Sequence, residues 1–153
     1  MLATTSSAGL RAHVLRLLPG TDLAHALRNF VDENKIRAAL VLTCVGSTAT
    51  TILRMAGAIE PRLFDGKFEI VSLTGTLSTG GSHLHMSVAG EDGVVYGGHL
   101  QDGCVVRTTA EIGIGVLDGV SFSRAPCALS GYLELNIESQ SEPRKRSNDE
   151  QAG

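Results

Sequence analysis

The chain has 153 residues, 42% apolar and 19% charged, with a formal net charge of −3. This is enough for one domain with a single core, and too apolar for a disordered chain. The negative balance argues against direct nucleic-acid binding, which needs a basic face, and no apolar run reaches the ~18 residues of a membrane span.

Eighteen glycines against 4% aromatics point to a β-rich fold with many turns. Cys44, Cys104 and Cys127 are odd in number and lack Cys-x-x-Cys spacing. They read as buried apolar residues in a reducing compartment. The N-terminus has neither the charged start nor the apolar centre of a secretory signal. A cytoplasmic protein is the expectation, with the nucleus left open by a basic cluster, Pro143-Arg144-Lys145-Arg146. That cluster reads either as a nuclear-import signal or as part of a solvated tail, the latter favoured by the acids that follow.

Residues 1–10 are small and polar, a flexible N-terminus. Arg11 to Leu18 alternates like a strand and stops at Pro19-Gly20. Thr21 or Asp22 then caps a helix whose Leu23, Leu27, Phe30 and Val31 share one face. Ala38 to Val45 is a continuous apolar run, a central strand closed by Gly46, and Thr48 to Met55 is a second strand with Arg54 near its end. Ile59–Phe64 and Lys67–Thr74 flank Asp65-Gly66, a hairpin signal.

His83-Leu84-His85 opens the next strand. Two apart, the histidines share one face, while Leu84, Met86 and Val88 take the other. Gly90-Glu91-Asp92-Gly93 turns the chain into Val94 to Leu100. A four-residue loop would put His99 on the far face. A three-residue loop, Glu91-Asp92-Gly93 with Gly93 left-handed, pairs Ala89 with Val95 and His85 with His99, bringing three of the five histidines together.

Gly103 to Ile114 is another strand, and Ala128 to Ile137 the last, with Leu129, Leu133, Leu135 and Ile137 largely on one face. Residues 11–137 form the domain, and 138–153, polar and charged, a disordered tail. The fold class is α+β, a mostly antiparallel sheet with one α-helix packed on it.

These residues resemble the PPC domain, the plants-and-prokaryotes-conserved domain, over roughly residues 11–137. Leu17-Leu18-Pro19-Gly20-Thr21-Asp22-Leu23 is similar to the family's strand–Pro-Gly–helix opening. Gly66-Lys67-Phe68-Glu69-Ile70-Val71-Ser72-Leu73-Thr74-Gly75 is similar to the Gly-Arg-Phe-Glu-Ile-Leu-Ser-Leu-Thr/Ser-Gly of plant members. His83-Leu84-His85 and Gly97-Gly98-His99-Leu100 resemble the prokaryotic His-Leu-His and Gly-Gly-His-Leu. The resemblance implies a homotrimer with the histidines near the subunit boundary. In plants the domain follows an AT-hook and mediates self-association and contact with transcription factors. Here the AT-hook is missing and all three histidines are present, so the chain is closer to the free-standing prokaryotic form. By this resemblance Lys67, Phe68 and Glu69 are candidate partner contacts, and other PPC-domain proteins or transcription regulators candidate partners. Lys67 and Val71 replace the family's Arg and Leu.

For His83, His85 and His99 two readings stand: a hydrogen-bonded polar strand face, or a metal site. Neutral imidazole suits zinc best among common metals, and three protein ligands leave a fourth position open. Glu111 and Glu91 are general-base candidates by type only, so catalysis stays undecided. Arg54 reads as a carboxylate or phosphate ligand, or as an interface ion pair. Gly80-Gly81 and Gly97-Gly98 read as tight packing beside the site, ahead of an anion cradle. His13 and His25 read as surface or interface residues, and Cys44 as a poor thiolate.

Overall fold

A computed structural model describes residues 4–7 and 9–139. Eight strands and one helix run in the order β1 (Leu10–Leu17), α1 (Leu23–Glu33), β2 (Ala39–Arg54), β3 (Arg62–Leu77), β4 (His83–Ala89), β5 (Val95–Leu100), β6 (Val105–Leu117), β7 (Val120–Pro126) and β8 (Leu133–Ser139). Six strands form one antiparallel sheet ordered β1-β6-β2-β3-β4-β5. Leu53 and Arg54 of β2 also pair with Leu100 and His99 of β5, closing β2 to β5 into a ring. The architecture is the mostly antiparallel sheet with one helix read from the sequence.

Helix α1 starts where the sequence expects. The Asp22 carboxylate accepts from the His25 N–H at 3.0 Å and from the Gly103 N–H at 2.7 Å. One side chain thus caps the helix and ties it to the approach to β6. Leu23, Leu27 and Val31 are buried against Leu53, Leu73, Met86, Val106 and Ile112 of the sheet, while Phe30 is only partly covered.

Two expected breaks in the chain are not breaks. Gly46 does not end a strand: β2 runs through it, absorbing register shifts against β6 on either side of Thr48. Asp65-Gly66 is not a hairpin turn either. Thr48 pairs with Phe68 and Thr50 with Asp65, so Gly66 and Lys67 together face Ala49 as a bulge within β3. The chain reverses earlier, between Arg54 and Arg62.

The sequence reading also passed over β7, which pairs with β8 as a separate two-stranded sheet. Val120 and Phe122 pack with Ala38, Leu40, Leu117, Leu135 and Ile137 in a small second core. The Phe122 N–H donates to the Arg37 carbonyl at 2.9 Å, and its carbonyl accepts from Ser78 Oγ at 3.1 Å. The last strand is shorter than expected: Leu129 (99% exposed) precedes it and Leu133 stays at the surface (63% exposed), leaving Leu135 and Ile137 to pack inward. Of the expected disordered tail, 138–153, Glu138 and Ser139 instead belong to β8, held by pairing with Ser121 and Val120, and the rest lies outside the described residues, as do residues 1–3 and 8.

Cys44 and Cys104 are buried free thiols, each pushed up to about 11 by burial. Cys127 departs from the expectation. It is half-buried, and hydrogen bonds from the Ser130 and Leu129 backbone pull its thiol downward. Among the described residues, no helix is long and apolar enough to cross a membrane.

Candidate metal centre

The three histidines meet because of the β4–β5 turn. Its three-residue loop, with Gly93 at φ +76°, pairs Ala89 with Val95 and His85 with His99. Gly90 donates to the Val94 carbonyl at 3.0 Å to close it. Leu84, Met86 and Val88 are buried, so His83 and His85 necessarily project from the opposite face. Strand pairing alone builds the cluster.

One nitrogen from each imidazole lies within 4.8 Å of the others. The His83 and His85 Nε2 atoms are 3.2 Å apart. Two ligands ~2.0–2.1 Å from a tetrahedral zinc stand about 3.4 Å apart, close to that spacing. His99 Nδ1 is buried with no hydrogen-bond partner. The donor set therefore has the chemistry of a three-histidine cation site, with the His83–His85 pair, also within hydrogen-bonding distance, near ligand spacing.

Two of the three donors are disfavoured as cations. Burial holds His83 below the usual histidine range, and His85, Arg124 and Arg54 push the same way against an opposing Glu134. His99 is lowered chiefly by burial, then by His83, Arg54, His85 and Arg124. A histidine whose folded pKa lies below about 6.5 binds fewer protons folded than unfolded just under that value, so stability rises with pH there and levels off above it. The metal-free protein is expected to melt at a lower temperature at pH 5 than at pH 7.5. A His83→Gln/His99→Gln variant should show a smaller gap between the two. An undiminished gap would assign the dependence to other groups.

The other candidates divide. Arg54 is beside the site, paired with His99 and lining the same cavity. Glu111 is not. It sits on β6 opposite Arg16 of β1 and Val45 of β2, and lines no cavity that the histidines line. Glu91 is held by Lys67 at 3.3 Å. Lys67 and Phe68 belong to a separate open groove of about 630 Å³ that includes Phe64 and Tyr96, and Arg62 stacks over Phe64 at 4.7 Å. Glu69 is exposed on β3 between Ser47 and Ala89. The glycines fit close packing: a Cβ on Gly98 would stand 2.7 Å from the Arg54 carbonyl oxygen, and one on Gly80 2.5 Å from that of Phe122.

Sequence reasoning missed Arg124, Tyr132 and Glu134. They come from β7, β8 and their connection, and line a cavity of about 600 Å³ with Arg54, His83 and His99. A signal was present: Asp118-Gly119 followed by alternating Val120 and Phe122 marks a turn and a strand.

The Plants and Prokaryotes Conserved (PCC) domain matches residues 4–118. The chain is 44% identical over 133 residues to the "Bifunctional protein GlmU" of Synechococcus sp. (strain JA-3-3Ab), covering 87% of this chain but only 21% of that protein. The chain thus spans about a fifth of the length of that curated relative. A hypothetical protein of Salmonella, solved at 1.55 Å, superposes with TM-score 0.87 at 46% identity, covering 90% of this chain and 99% of the other. The metal-containing protein AF0104 from Archaeoglobus fulgidus superposes with TM-score 0.75 at 26% identity, covering 88% and 98%.

Proposed function

The chain belongs to the Plants and Prokaryotes Conserved (PCC) domain family, and from that premise we propose that it binds one divalent metal ion, zinc, through His83, His85 and His99. The observation that carries this is the convergence of three imidazole nitrogens within 4.8 Å on one strand-pair face. The metal-containing neighbour AF0104, alike over nearly its whole length, supports it. When bound, zinc supplies a Lewis-acidic position that three ligands leave open. The protein's own residues aim the imidazoles and disfavour protonation of His83 and His99. Leu84 and Met86 anchor β4 in the core, and burial with nearby positive charge resists protonation. Hydrolytic chemistry is compatible with such a centre, and the Glu134 carboxylate lines the same cavity.

We further propose that the chain assembles as a homotrimer. Val14, Leu42, Val45 and Val71 stand exposed on the sheet strands β1 to β3, apolar side chains that contact between copies would cover. The second reading is an interaction module without metal, recruiting other members of the family or transcription regulators through this surface or the Lys67–Phe68–Glu69 segment.

Native mass spectrometry on protein purified without a histidine tag or chelator separates these. A trimer carrying three zinc ions is the expected result. A metal-free trimer would move the reading to the interaction module, and a metal-free monomer would overturn both assembly and metal.

A further inference from the structure

We propose that the cavity beside the histidines binds a small organic dianion, a phosphate monoester or a dicarboxylate, through the guanidinium groups of Arg54 and Arg124, beside the position where His83, His85 and His99 would hold the metal. The inference rests on the metal reading above and deepens it.

Three observations point there. First, Arg54 is the cross-strand partner of His99. Arg54 and Arg124 also line one cavity of about 600 Å³ with His83, His99, Tyr132 and Glu134, within the size range of small-molecule sites.

Second, neither guanidinium is neutralised. Arg11, Arg28 and Lys67 each have a carboxylate within 3.3 Å, on Asp118, Asp102 and Glu91. Among the described residues Arg54 and Arg124 have no carboxylate within ion-pair distance. Arg124 is nevertheless fixed: its Nη2 donates to Thr76 Oγ1 at 2.8 Å, and its Cγ lies 3.1 Å from where a Cβ on Gly81 would be. A held guanidinium with unused donors is prepared for an oxyanion.

Third, the charges do not balance. Two guanidinium groups and a divalent ion face one acid in the cavity, Glu134, an excess that favours a dianion. The open side, with exposed Tyr132 and Leu133, leaves room for an organic body beyond the charged group. Arg124 and Glu134 lie past residue 118, where the family match ends, so the β7–β8 hairpin adds this anion-binding wall to the histidine face.

Cobalt-loaded protein tests it, with inorganic phosphate and malonate as probes and the visible cobalt spectrum as readout. The wild type should show a saturable spectral change, and the tighter of the two anions names the ligand class. Arg54→Leu should weaken that binding about tenfold or more at unchanged cobalt stoichiometry. Arg124→Lys, which keeps charge but loses the planar fork, should weaken it as well. If neither anion changes the spectrum, or both variants keep the wild-type affinity, the anion site is overturned while the metal site stands. If no cobalt binds, both readings fall.

Discussion

With His83, His85 and His99 all replaced by alanine, the protein will lose stoichiometric zinc and keep its fold. Four-ligand structural zinc sites release about 10–16 kcal/mol, so each nitrogen carries roughly 3 kcal/mol, or about two orders of magnitude in affinity. Removing His85 alone should already weaken zinc about a hundredfold, and removing all three leaves nothing to compete with buffer. The fold survives because His83 and His85 are exposed, while Leu84, Met86 and Val88 between them make the core contacts. Metal analysis beside circular dichroism checks both halves. Zinc retained at one per chain by a folded triple variant would place the metal elsewhere and remove the basis of the proposed function.

Gly75→Ala is expected to be nearly as damaging, from a position with no donor atom in its side chain. Gly75 lies in β3 opposite Leu84 at φ +140°. A Cβ there would stand 2.0 Å from the His83 carbonyl oxygen and 3.0 Å from the Leu84 Cα. Both are backbone atoms of the strand carrying the histidines, so β4 must move or β3 must twist. Backbone strain of ~1–2 kcal/mol adds to the steric displacement, for a loss of about 3 kcal/mol or more. Displacement of β4 moves His83 directly. Denaturant unfolding should therefore show a lower midpoint, and zinc affinity should fall with it. Wild-type values for both would mean that β3 and β4 are not packed this closely.

The site's centre was more legible in the sequence than its walls. Hairpin register depends on neighbouring residues: once Glu91-Asp92-Gly93 is recognised as the loop, His85 must face His99. Arg54 was likewise found beside the site because it ends a strand. The same local logic failed at Asp65-Gly66. An Asp-Gly pair permits a turn, but β3 stays paired to β2 on both sides of it, and the pair relaxes into a bulge. The 16-residue lengths of β2 and β3 exceed the usual strand length of about 5–6 residues, which invites dividing each in two. Arg124 and Glu134 were harder still: the strand that carries Arg124 had a turn signal before it, but its placement had none. They face the histidines only because Phe122 docks the second sheet on Arg37 and Ser78, a tertiary contact with no local signature. Glu111 shows the converse: on type alone it was a candidate, and strand order put it between Arg16 and Val45.

The central position of β2 also has a consequence for how the protein is made. One edge of β2 finds its partner quickly, since β3 begins at Arg62, while the other waits for β6, which begins at Val105. Ribosomes add about 5–20 residues per second, so that edge stays bare on the nascent chain for several seconds. Closure by β5 covers only its last two residues, Leu53 and Arg54. Late completion of long-range pairing makes for slow folding and for exposure to neighbouring nascent chains. Folding in a cell is thus expected to respond to translation rate and chaperone supply as well as to the stability of the finished fold.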